Sequence, residues 1–251
     1  MSVSVLSHRE LDRTDVYVVE HDLPTSVLNQ FLTSSVIACD IETTGLDWTT
    51  DKIATCQVFS PSAGAYIVRI SDEIPRNLAS LLDNASVLKV FHHAMFDLRF
   101  MHYQWNLEAR SVLCTKIAAK ILMPGSEDTS LQGVTRDFLG IHLDKTERLS
   151  NWLSSSLSPR QLSYAAADVI YLPALISVLQ EKLLESGRWD LAISCFEFLP
   201  VRVRLDILGA GDVFAYQSSV TKPPQNTVQL PVRDRRRWFG LDRLLSRNPE
   251  R

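Results

Sequence analysis

Val36–Asp47 reads VIACDIETTGLD, and the reading of the whole fold starts there. From Val36 to Ile41 every residue except Asp40 is apolar, and two threonines and Gly45 end the run, which is the pattern of a strand covered on both faces. Strand side chains alternate, so Asp40 and Glu42 leave the backbone on the same side. Two like charges held together away from water repel each other, and a hard divalent ion such as magnesium or manganese, which prefers oxygen ligands, is what would keep both ionised. Unaccompanied, the same two residues would read as a solvated strand end.

Working outward, Asp15–Glu20 reads as a short strand and Pro24 opens a helix through Phe31. After the central strand come strand-like runs at Lys52–Ser60 and Ala65–Ile70, parted by a PSAG turn. Helical spacing follows at Ile74–Leu82, a strand at Val87–Phe91, and helices at Ala94–Tyr103, Thr115–Leu122, Leu131–Leu139 and Pro159–Leu184. The order is that of an α/β domain with an antiparallel meander at its start. No internal repeat with a period of about 20 to 50 residues occurs.

Composition narrows the class. The chain has 251 residues, 45% hydrophobic and 22% charged, enough apolar material for a core without disulfides or structural metal. Cys39, Cys56, Cys114 and Cys195 show no CxxC pair, so they read as small buried hydrophobes. The first residues carry no signal-like apolar run and no stretch of about 18 uninterrupted apolar residues occurs, so the expectation is a cytoplasmic protein that does not span a membrane. The net charge of −3 divides unevenly: residues 222–251 carry eight basic and three acidic side chains, leaving −8 on the rest. The expected organisation is therefore a catalytic body over residues 1–217 and a basic, flexible tail over 218–251.

Two more acidic positions accompany the first pair. Asp97 lies in FHHAMFDLRFM among Phe91, Met95, Phe96, Phe100 and Met101, where an unpartnered charge would be costly. Tyr164 and Asp168 stand four apart in YAAAD, on one helix face, and the alanines between them allow close approach to a sheet. Four carboxylates drawn from a strand, a helix start and a late helix suit two metal ions about 3.5–4 Å apart, an arrangement used for in-line displacement at phosphorus.

In this order, DIETTGLD, HHAMFD and YAAAD resemble the three exonuclease motifs of the DEDD superfamily, in its DEDDy branch, and look like those of its ribonuclease D-like members. The likeness extends through SLQGVTRDFLGIHLDKTERLSNW and SPRQLSYAAADVIYLPAL and covers roughly Val16 to Trp189. It implies a ribonuclease H-like fold, a mixed five-stranded sheet flanked by helices. It also implies that Asp40, Glu42, Asp97 and Asp168 bind two divalent ions (magnesium or manganese) and that Tyr164 orients the attacking water. A tyrosine of unperturbed pKa near ~10 is protonated at neutral pH, which suits orientation better than proton abstraction. Thr43, Leu46, His93 and Phe96 are the implied substrate contacts, Leu46 and Phe96 as surfaces for the terminal base.

The implied activity is removal of nucleoside 5′-monophosphates, one at a time, from single-stranded 3′ ends, with RNA favoured over DNA and transfer RNA precursors as a candidate substrate. Two departures stand out. His93 replaces the asparagine that many relatives carry four residues before Asp97, and Ser155 and Ser156 replace an Arg-Pro pair, which removes an arginine able to meet a phosphate. His93 reads either as a substrate contact or as a hydrogen-bonded supporting histidine. The RDRRRW cluster at Arg233–Trp238 would grip phosphates or be a solvated terminus. Three competing readings remain at this level: an exonuclease acting on DNA, a nucleic-acid-binding scaffold that keeps the fold without catalysis, and carboxylates that merely pair with Arg99, Lys116 or Arg160.

Overall fold

The computed structural model describes residues 14–215, apart from 145, 148 and 149. The expected boundary after residue 217, the basic tail and its RDRRRW cluster lie outside the described residues. The strands are β1 (Val16–Glu20), β2 (Val36–Thr43), β3 (Ile53–Ser60), β4 (Gly64–Arg69), β5 (Leu88–Phe91) and β6 (Val112–Cys114). They form a six-stranded mixed sheet in the order β1-β4-β3-β2-β5-β6. The helices are α1 (Thr25–Leu32), α2 (Arg76–Asp83), α3 (Ala94–Trp105), α4 (Thr115–Leu122), α5 (Leu131–Leu139), α6 (Pro159–Ile170), α7 (Leu172–Glu185) and α8 (Trp189–Ile207). The α/β layout implied by the resemblance is present, with β6 as a sixth strand beyond the five expected.

At β2 the sheet changes sense. β2 runs antiparallel to β3 and parallel to β5. The pairing register slips between Glu42 and Thr43, a bulge that bends the strand just past its second carboxylate. Opposite Asp40 stands Gln57 and opposite Glu42 stands Thr55, so these four residues share one sheet face. The row continues from Thr55 to Arg69 on β4 and on to Glu20 on β1. α6 lies on this face and touches β2, β3 and β4. On the opposite face Phe31 of α1 meets Tyr66 edge to face, with ring centroids 5.7 Å apart.

The helix expected over Pro159–Leu184 is two helices. Ile170 ends α6, Tyr171 is the cap between them, and Pro173 lies in the first turn of α7, where its missing N–H is tolerated but a continuous helix would not be. Counted across that break, residues 159–185 are long and apolar enough to cross a membrane by length and composition alone. Ala165, Ala166, Val169, Leu172, Leu175 and Leu179 of this stretch are buried in the core. α6 begins with a capping box, in which Ser158 accepts from the Gln161 N–H and Gln161 accepts from the Ser158 N–H.

Candidate active site

Asp40 and Glu42 extend from the end of β2 and Asp168 from α6, and one carboxylate oxygen from each lies within 4.8 Å of the others. The close approach has a local cause. Ala165 and Ala166 are fully buried where α6 meets the sheet, and a larger side chain at either position would lift Asp168 away from β2.

Asp97, the fourth carboxylate, comes from α3 and adjoins the other three, being the neighbouring charge that acts most strongly on Asp40. It lies in the first turn of α3, is 2% exposed, and accepts the Ile41 N–H at 3.2 Å. That N–H sits between the two carboxylate residues of β2, so Asp97 fastens the start of α3 to the strand at the cluster. All four groups feel one another. Burial, then Asp97, Asp168 and Glu42, raise the Asp40 carboxyl well above the usual carboxylate range. Asp97 is raised too, chiefly by burial, against the opposing pull of its N–H donors.

Tyr164 stands on α6 one turn before Asp168 and hydrogen-bonds to it. Burial pushes its phenol far above the usual tyrosine range, and the charges of Asp168, Glu42 and Asp40 push it further. The group is a hydroxyl at neutral pH. Its single proton goes to Asp168, which leaves its oxygen lone pairs to accept a bond from a water.

Among the other expected residues, Leu46 is 79% exposed at the tip of the loop after β2. Thr43 spends its hydroxyl on the Gly45 carbonyl and so shapes that loop. A Cβ at Gly45 would meet the Asp51 carboxylate that organises the turn, so a side chain there would displace that carboxylate from its bonds to Thr44 and Asp47. Phe96 is partly buried against the core, with its ring 4.9 Å from Phe100 and 6.4 Å from His93.

His93 caps α3 with a φ of 69°, in the left-handed region. The backbone tolerates the departure from asparagine, since Asn, Asp and His are the non-glycine residues most enriched in this region. Burial, then Lys116, Arg99 and Lys120, lower its pKa, so the ring is neutral at pH 7. We expect His93→Asn to leave stability nearly unchanged and His93→Val to cost about 1–2 kcal/mol. Urea unfolding of both variants tests this, and equal costs would show that the side chain, not the backbone, decides the position.

Thr55 and Gln57 were not anticipated. Both are fully buried beneath the carboxylates, and Gln57 donates to the Thr55 hydroxyl at 2.8 Å. Of the cations suggested as partners for the carboxylates, Arg99 is committed to Asp206 on α8, and Arg160 lines a cavity of about 590 Å³ beside Tyr164, together with His142, Ser163 and Tyr171.

Comparison with known proteins agrees with this geometry. A family model described as 3′-5′ exonuclease matches residues 16–184, which include every residue proposed for the site. Ribonuclease D of Haemophilus influenzae is 28% identical over 178 residues, 70% of this chain and 44% of that protein. DNA polymerase I of Aquifex aeolicus is 30% identical over 172 residues, 67% of this chain and 28% of that protein. The chain spans less than half the length of the curated ribonuclease D relatives it matches. Brucella melitensis NrnC superposes with a TM-score of 0.75 at 33% identity, over 80% of this chain and 98% of that one. NrnC structures with bound Mg2+ and bound to pGG are similar to this chain to the same degree. With its motifs inside the matched segment and its carboxylates gathered as described, the chain belongs to the 3′-5′ exonuclease family.

Proposed function

We propose that the protein is a metal-dependent 3′-5′ exoribonuclease that releases nucleoside 5′-monophosphates from single-stranded RNA ends. The observation that carries this reading is the meeting of Asp40, Glu42 and Asp168 within 4.8 Å of one another, on a face that also holds Tyr164. Such a set of oxygen donors fits divalent ions: the Asp40 carboxyl, displaced upward by burial and by three neighbouring carboxylates, is the group a cation would relieve. Asp40, Glu42 and Asp168 would hold the ions, with Asp97 as the fourth carboxylate of a two-ion site. Magnesium is supported by the Mg2+-bound NrnC structure, and manganese shares its preference for oxygen. When bound, the ions supply a water of lowered pKa and offset the charge of the scissile phosphate.

The chain's own residues then do the positioning. Tyr164, donating to Asp168, accepts a hydrogen bond from the attacking water and turns its lone pair toward phosphorus. Leu46, exposed on the loop that follows β2, offers an apolar surface to the terminal base, with Phe96, the neighbour of Asp97 in the chain, as a second candidate. NrnC bound to pGG, matched over nearly its whole length, supports short oligoribonucleotides as the favoured substrate class. DNA is the second reading, favoured by the likeness to DNA polymerase I.

A time course on matched 5′-labelled RNA and DNA, from two nucleotides upward, with magnesium, manganese or chelator, tests both. The expected result is a metal-dependent ladder shortening from the 3′ end, faster on RNA. Equal rates on both strands would remove the sugar preference, and no shortening by folded protein would remove the enzyme.

A further inference from the structure

Arg69 ends β4 in the cross-strand row that contains Glu42, two strands from it, on the face occupied by α6. Its guanidinium makes three bonds: to the Ser155 carbonyl at 2.8 Å, to the Ser154 carbonyl at 2.6 Å and to Glu20 at 3.1 Å. The planar fork suits two neighbouring carbonyls, and a lysine would not reproduce it. A second tie acts at the start of the same segment, where Gln161 of the α6 capping box donates to the Asn151 carbonyl at 3.2 Å.

Between the two ties lies Trp152. Its ring is 3% exposed, packs with Ala54, Ile67 and Ala165, and lies 5.9 Å from the Tyr164 ring at an interplanar angle of 44°. Its indole N–H is buried without a hydrogen-bond partner. Leaving such a donor unsatisfied is unfavourable, so the fold keeps an indole here at a cost that a smaller aromatic would not carry.

Resting on the proposed nuclease reading, we infer that Arg69 and Trp152 are positioning residues for the reaction: Arg69 straps residues 151–155 to the sheet, and Trp152 thereby fixes the Tyr164 ring beside Asp168. The segment in which serines stand at 155 and 156 is thus held through its backbone carbonyls by an arginine from β4.

Kinetics and spectroscopy test this independently. Arg69→Ala and Trp152→Phe are each expected to lower kcat about tenfold with KM within about twofold, with Arg69→Lys recovering only part of the loss. In a Tyr164→Phe background the same two substitutions should change kcat less than about twofold, because the hydroxyl they position is gone. Losses that simply multiply in that background would overturn the inference. The second arm needs no activity: in protein carrying 13C-labelled tyrosine, the Tyr164 ring resonances, assigned by their absence in Tyr164→Phe, should shift in folded Arg69→Ala. Unchanged resonances would overturn the strap even if the nuclease is confirmed, and a wild type without nuclease activity would remove the reaction while this arm still decides the strap.

Discussion

Asp40→Asn should abolish hydrolysis and at the same time make the metal-free protein harder to unfold. The activity loss follows from removing one donor of a three-carboxylate set; if the bound cation supplies about 4 kcal/mol of transition-state stabilisation, the rate falls about a thousandfold. The stability gain has the opposite sign because Asp40 is a group whose folded pKa is raised, by burial first and then by Asp97, Asp168 and Glu42. A raised carboxyl contributes stability in full below its unfolded pKa of about 4 and loses that contribution as pH rises through the folded value. At pH 7 the metal-free wild type therefore bears the cost of a buried carboxyl crowded by like charges, a cost that asparagine does not carry. Thermal unfolding in chelator should place Asp40→Asn above the wild type, and magnesium should raise the wild type alone. A variant that keeps more than about 1% of the rate, or that melts lower in chelator, would contradict the assignment.

The second large effect lies at Lys89, away from the site. This residue is fully buried in β5, between the apolar positions Leu88 and Val90, and its ammonium donates to the Asn84 carbonyl at 2.6 Å, at the C-terminal end of α2. That position suits a cation, because unsatisfied carbonyls and the helix dipole both favour positive charge there. Burial still wins and lowers the Lys89 pKa to about 8. For a lysine this means the charged form is a cost borne below pH 8 and relieved as pH rises from there toward 10.5. Between pH 7 and 9.5 the relief amounts to about 2 kcal/mol. Buried thiols such as Cys39 and Cys56, whose pKa values burial raises, oppose the trend at alkaline pH. The measurement is therefore the difference in urea stability between the wild type and Lys89→Met, which should move in favour of the wild type across that interval. A pH-independent difference would show that Lys89 keeps an ordinary pKa.

Much of the candidate site was legible because its residues conflict with their surroundings. Asp40 interrupts an apolar strand, Asp97 interrupts an apolar helix start, and three alanines between Tyr164 and Asp168 serve a helix that must sit close. What escaped is what has no local conflict. β6 is three residues long, too short for alternation to register. α8, with Pro200 inside it, lacks the one-sided pattern that marks a helix beforehand. Every residue of β3 is buried, so Thr55 and Gln57 did not separate into an inner and an outer face, although they lie directly opposite the two carboxylates of β2. The clamp of Arg69 on Ser154 and Ser155 joins segments far apart in the chain and leaves no trace in either. The His93 departure needed a backbone angle to be understood.

The cluster takes two of its carboxylates from β2 and the third from α6, near opposite ends of the domain's sequence. During folding, the β2–β3–β4 meander closes through short loops, whereas Asp168 reaches it only when α6 docks across all three strands. Two of these three carboxylates therefore stand together early, and the set is complete only last. Interactions completed after the rate-limiting step slow unfolding without hastening folding, so a bound cation would act as a latch on finished molecules. Chains stalled with a formed sheet and an undocked α6 would lack that latch.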